Sequence, residues 1–191
     1  MKQQPLTTWR WTRSEYDRLV DLGLFHDKAV ELIGGQLLVA EPQGSYHANG
    51  ISVADNALRA VLPPGWYVRT QMPVALDEES EPEPDLAVVS GSPRTYRDAH
   101  PSRPALAVEI SHSSLHFDRE VKGSLYARAA IADYWVVNLI DHAVEVYRAP
   151  VRDATAPYGW RYDSAEVFRA PDTIALLAIP AARVEVAALL P

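Results

Sequence analysis

Two apolar segments of this chain each carry one carboxylate, and a lysine follows shortly after them. The first reads Pro84-Asp85-Leu86-Ala87-Val88-Val89, the second Ala105-Leu106-Ala107-Val108-Glu109-Ile110, and Lys122 lies in the stretch 118–131. Burying a carboxylate without a partner is costly, so a strand carries one only with a counter-charge, a metal or a raised pKa. Two such strands close in sequence suggest that Asp85 and Glu109 converge on one cation. Hard divalent cations such as Mg²⁺ take oxygen ligands, usually one or two carboxylates with waters and substrate phosphate. The backbone carbonyl of Ile110 offers a third protein ligand. Such a metal lowers the pKa of its water and stabilises charge on a phosphoryl oxygen. Lys122 is then the candidate to orient the attacking water or to neutralise the transition state.

Each of these residues also has an ordinary structural reading. Asp85 could cap a turn, and Glu109 could pair with an arginine such as Arg103. Lys122 lies four residues after Asp118, the spacing of a surface helix pair contributing about 0.3–0.5 kcal/mol. Glu31 is either an additional carboxylate of the site or an exposed strand residue. His47 sits at a helix start, where it either contacts a phosphate or is structural, and Gln71 is a weaker candidate of the same kind. Tyr126, Tyr134 and Trp135 read as core aromatics. The acidic run 77–83 reads as a solvated surface connection.

The elements that must position these groups follow from pattern. Thr12 and Glu15 form a capping box before an apolar stripe that stops at Gly23. Residues 30–39 read as a hairpin turning at Gly34-Gly35. Helical spacing covers 46–62 until Pro63-Pro64, and strand composition returns at 66–76. The carboxylate strands come next, joined by a proline-bearing loop over 90–104. Residues 118–131 have one apolar helical face. Strands are expected at 134–139 and 143–147, short elements at 160–167 and 173–179, and a closing helix at 181–190. The pattern is α/β or α+β, a central mixed sheet flanked by helices, with 1–191 as one domain.

Composition narrows the possibilities. The 191 residues are 48% hydrophobic and 23% charged, an ordinary globular balance. The chain has no cysteine and no paired histidine ligands, which argues against zinc. No apolar run reaches the roughly 18 residues of a membrane span. Residues 1–5 lead into a polar segment without the apolar core of a signal peptide, so a cytoplasmic location and no membrane association are expected. A net charge of −7 argues against sequence-blind binding to DNA, because phosphate affinity comes mainly from Lys and Arg.

Pro-Asp on one strand, Glu-Xaa-Ser on the next and a lysine on the following helix resemble the PD-(D/E)XK nuclease superfamily. More narrowly the chain resembles the Uma-two restriction-endonuclease family, formerly a domain of unknown function. The matching pieces are Val30-Glu31-Leu32-Ile33-Gly34-Gly35-Gln36-Leu37, His47, Pro84 to Val89 and Pro104 to Ser111, then Asp118, Lys122, Tyr126 and Asp133-Tyr134-Trp135-Val136-Val137. The resemblance implies a restriction-endonuclease-like core and Mg²⁺- or Mn²⁺-dependent hydrolysis of phosphodiester bonds in DNA. Asp85 and Glu109 would hold the metal with Ile110, Lys122 would assist, and Glu31 would complete the catalytic set. It also implies a homodimer. One departure is clear: the superfamily's lysine usually stands two residues after the second carboxylate, where this chain has Ser111, so Lys122 must substitute in space. Two rivals are open, a non-catalytic binding module of the same fold and a carboxylate-pair hydrolase acting on another substrate.

Overall fold

The computed structural model describes residues 7–40 and 42–191, so the 1–5 segment read above lies outside the described residues. Three strands, β4 (Leu86–Ser90), β5 (Leu106–Ser111) and β6 (Asp133–Asn138), are buried along almost their whole length. Their runs are therefore continuously apolar instead of alternating. They form the middle of a six-stranded sheet ordered β3-β4-β5-β6-β7-β8, with β3 at Trp66–Thr70, β7 at Ala143–Arg152 and β8 at Trp160–Phe168. All neighbours are antiparallel except β5 and β6, which run parallel. A parallel pair needs a crossover, and the helical segment between β5 and β6 provides it.

Alternation along β5 divides the sheet into two faces. Leu106, Val108 and Ile110 pack with Ile51, Ala54 and Leu58 of helix α2 (Ser45–Val61). A Cβ on Gly50 would lie 2.9 Å from Ile110 Cγ2, so α2 is seated directly on the strand that carries Glu109. Ala107 faces the other way, into a cluster with Tyr126, Tyr134 and Tyr162. Glu109 shares the parity of Ala107 and so belongs to that second face.

The capping box of α1 (Arg13–Asp21) forms as expected, with Thr12 N–H donating to Glu15 Oε2 at 2.9 Å. The hairpin of β1 (Val30–Ile33) and β2 (Gln36–Val39) turns at Gly34 and Gly35, both at positive φ. Three expectations change. The strand expected over 66–76 ends at Thr70, because Gln71 takes a positive φ. The helix expected at 181–190 is half strand: β10 (Ile179–Glu185) pairs with β9 (Thr173–Leu176), and the helix is confined to Val186–Leu189. Ala182 and Val184 are buried on alternate residues there, a period of two that the alanines obscured. No helix among the described residues is long and apolar enough to cross a membrane.

The third change concerns the acidic run 77–83, which is solvated only over Asp77–Glu79 and turns inward at Ser80. Ser80 and Glu81 are buried, Glu81 N–H donates to Leu32 O at 2.7 Å, and Gly35 N–H donates to Glu79 O at 2.7 Å. The run is clamped to the β1–β2 hairpin and delivers the chain to Asp85. Burial pushes the Glu81 carboxyl up to about 7, with Asp17 and Glu83 adding to it and Arg13 opposing. Near pH 4 this carboxyl is protonated whether the chain is folded or not. As pH rises the unfolded chain ionises first, so the cost to folding grows until the folded carboxyl also ionises near 7, and it stays at that full value above. Replacing Glu81 with Gln should therefore stabilise the protein by up to about 3 kcal/mol at pH 8 and far less at pH 5. Thermal melts of wild type and E81Q at the two pH values measure this; a gain that does not grow with pH would contradict it.

Candidate active site

Register brings the two carboxylates together. Leu86 pairs with Val108 and Ala87 with Ala107 across β4 and β5, so one further step places Asp85 opposite Glu109 on the same face. Asp85 Oδ2 accepts the Ile110 N–H at 2.8 Å, and Asp85 N–H points to Glu109 Oε2 at 3.4 Å. Because a strand residue's N–H and C=O face the same edge, the Ile110 carbonyl lies on the Asp85 side of β5. The capping reading of Asp85 is thus replaced by a strand-end bridge. Glu109 makes its ion pair with Lys122, not with Arg103.

The crossover after β5 is not one regular helix. It runs through α3 (Leu115–Phe117), a π-helical turn (Asp118–Lys122) and α4 (Gly123–Arg128). In the wide turn Gly123 N–H donates to the Asp118 carbonyl, which also accepts the Tyr134 hydroxyl at 2.9 Å. Such turns inside helices recur at functional sites. Here it carries Lys122 inward: Nζ lies 3.0 Å from Glu109 Oε1 and 3.6 Å from Glu31 Oε2. With Lys122 only 7% exposed, the surface-pair reading with Asp118 fails.

Glu31, on β1, belongs to the same cluster and accepts the Glu83 N–H at 3.0 Å. His47, in the first turn of α2, places Nε2 3.5 Å from Asp85 Oδ1. Gln71 lines the same cleft. Two members went unassigned in the sequence. The Tyr126 hydroxyl donates to Glu109 Oε1 at 2.7 Å, and Asp118 Oδ2 accepts the hydroxyls of Ser111 and Ser114, each at 2.6 Å. Tyr126 follows Lys122 by four residues, a same-face spacing that could have flagged it. Tyr134 and Trp135 are fully buried, as read.

The cluster has more negative than positive charge. Burial pushes the Glu109 carboxyl well above the ordinary range; Lys122 opposes this, and Asp118, Asp85 and Glu31 reinforce it. Burial would lower Lys122, but the surrounding carboxylates, Glu109 and Glu31 foremost, hold it up as an ammonium. His47 is raised chiefly by its hydrogen bond to Asp85. Asp118 is raised by burial against the pull of Lys122 and its two serines.

Among the described residues, no group of three His, Cys, Asp or Glu side chains is gathered as a ready metal site. The donor chemistry nevertheless fits a hard cation. Glu109 Oε1 is taken by Lys122 and Tyr126, while Oε2 is turned toward Asp85. Asp85 Oδ2 and Glu109 Oε2 accept only backbone N–H groups, with the Ile110 carbonyl at the same edge, in a surplus of buried negative charge. The centre forms the floor of a cleft of about 790 Å³, between the β1–β2 hairpin, the start of α2 and the segment after β5.

The mixed sheet with its parallel β5–β6 pair, flanked by helices, is shared with a solved protein. A crystal structure of a putative nuclease of the DUF820 family from Anabaena variabilis superposes with a TM-score of 0.61 at 17% identity, covering 85% of this chain and 90% of that one. The Uma2 family model, described as a putative restriction endonuclease, matches residues 13–187. The chain belongs to the Uma2 family. No curated protein matches it.

Removing the Tyr126 hydroxyl takes a donor from Glu109 inside a buried cluster. Tyr126→Phe should cost about 1–3 kcal/mol of stability. Urea denaturation checks this, and an unchanged midpoint would mean that the hydroxyl does not support Glu109.

Proposed function

We propose that the cleft is the hydrolytic centre of a divalent-metal-dependent endonuclease that cuts phosphodiester bonds in DNA. The observation that carries this reading is the meeting of Lys122 Nζ, at 3.0 Å, with a carboxylate that stands opposite Asp85 in strand register. Family membership supports it. Asp85 and Glu109, with the Ile110 carbonyl, would hold Mg²⁺ or Mn²⁺. When bound, the cation supplies Lewis-acid stabilisation of phosphoryl charge and acidifies water. Lys122, held as an ammonium, has no lone pair and cannot act as a base. It donates hydrogen bonds and positive charge, to the attacking water or to a non-bridging phosphoryl oxygen. Glu31 and Tyr126 fix its orientation and that of Glu109. His47, beside Asp85 at the cleft side of α2, is placed to face a phosphate. The homodimer and the cytoplasmic location expected above remain parts of this proposal.

A second reading has one observation in its favour. The lining of the cleft is acidic, which suits a carboxylate-pair hydrolase acting on a small substrate that is not a nucleic acid. It expects plasmid to stay intact while small esters or glycosides turn over.

Plasmid nicking in Mg²⁺ or Mn²⁺, against an EDTA control, tests the leading reading. Asp85→Asn, Glu109→Gln and Lys122→Met should each lower the rate by about 100-fold or more. Circular dichroism checks that each variant is folded. Undiminished nicking by folded Asp85→Asn or Glu109→Gln would contradict the assignment.

A further inference from the structure

The walls of the cleft differ from its floor. Tyr46, on the first turn of α2, is 43% exposed, and His112 follows β5 directly. Their ring centroids are 6.1 Å apart at an interplanar angle of 84°. Phe117 and the β2 residues Leu38 and Val39 extend this apolar lining. Tyr126 and Tyr134 are fully buried, whereas Tyr46 lines the cleft with its ring partly exposed.

The charges point the same way. Among the described residues lining the cleft there are five carboxylates, one lysine and no arginine. That lysine is already engaged by Glu109 and Glu31. Duplex binding draws most of its affinity from Lys and Arg on phosphates, and this opening offers almost none. The floor is also recessed, with Asp85 8% and Glu109 3% exposed. A cleft of about 790 Å³ lies in the small-ligand range of about 300–1,000 Å³, and its recessed floor is reached more readily by a flexible single strand than by a stiff double helix. A single strand carries phosphates too, but it gains part of its affinity from stacking on an exposed ring, which any base can supply and a paired base cannot.

We propose that the substrate is single-stranded DNA, with an unpaired base stacked on the exposed Tyr46 ring, His112 at that ring's edge, and the adjoining phosphate led toward the floor of the cleft. The chemistry rests on the nuclease reading; the binding mode does not. Fluorescence anisotropy in Ca²⁺ of a labelled mixed-sequence single strand and of its blunt duplex, with wild type, Tyr46→Ala and Tyr46→Phe, tests it. The single strand should bind at least about ten-fold more tightly than the duplex. Tyr46→Ala should weaken that binding about 5- to 150-fold, the range of one lost stacking contact, while Tyr46→Phe retains it. Equal or tighter duplex binding, no binding of either, or no effect of Tyr46→Ala would overturn the proposal. Cleavage of the same oligonucleotides in Mn²⁺ separates the two readings. Single-strand binding that depends on Tyr46, without any cleavage, would sink the nuclease reading and leave this one standing. Cleavage of both substrates without single-strand preference would do the reverse.

Discussion

Lys122 and Glu109 bring opposite charges from the crossover helix and from a central strand together at the buried floor of the cleft. Both are buried, and they meet at 3.0 Å. Desolvating two charges is recovered only when geometry is good and the remaining polar atoms are satisfied; removing one partner typically costs about 3–5 kcal/mol. The neighbouring structure meets those conditions. Tyr126 donates to the same carboxylate oxygen, Glu31 approaches the ammonium, and the π-helical turn sets the lysine at the right depth. The parallel β5–β6 pair requires a crossover on this face, so the lysine's position is built into the topology.

The pair alone does not neutralise the site. Asp85, Asp118 and Glu31 surround it, with His47 as the nearest further cationic candidate. An interior with this imbalance must retain protons or take up a cation, and the raised Glu109 and Asp118 are the proton-retaining answer. The side of Glu109 Oε2 that faces Asp85, where its one partner is the long 3.4 Å Asp85 N–H contact, is where a hard cation would relieve the same imbalance. The surplus also shapes the cleft above, whose acidic floor and aromatic wall make it unlike a basic groove for a duplex.

Much of this was legible in the sequence where one residue type had a single physical role. A carboxylate in an apolar strand demands a partner, and Asp85, Glu109 and Lys122 meet as that demand implied. The capping box and the Gly34-Gly35 hairpin were equally readable, since their signals are local. The roles of Tyr126 and Asp118 were not, because burial explains a helix tyrosine, and a surface pair explains an aspartate, without any site. Only the wide turn decides between those readings, and no local signal marks it. The inward turn of the acidic run was misread because charge implies solvent unless a neighbour clamps the backbone, as β1 and Gly35 do here. The C-terminal strand was hidden by alanines, which favour a helix until tertiary pairing overrides them.

The central claim is that Asp85, just before β4, and Glu109 of β5 form a cation centre beside Lys122. The most direct measurement is an anomalous difference map from crystals soaked in Mn²⁺. The expected result is a peak within about 2.0–2.6 Å of carboxylate oxygens of both Asp85 and Glu109, the distance range of hard cations. Crystals that diffract well but place Mn²⁺ elsewhere, or show no peak at this pair, would contradict the account.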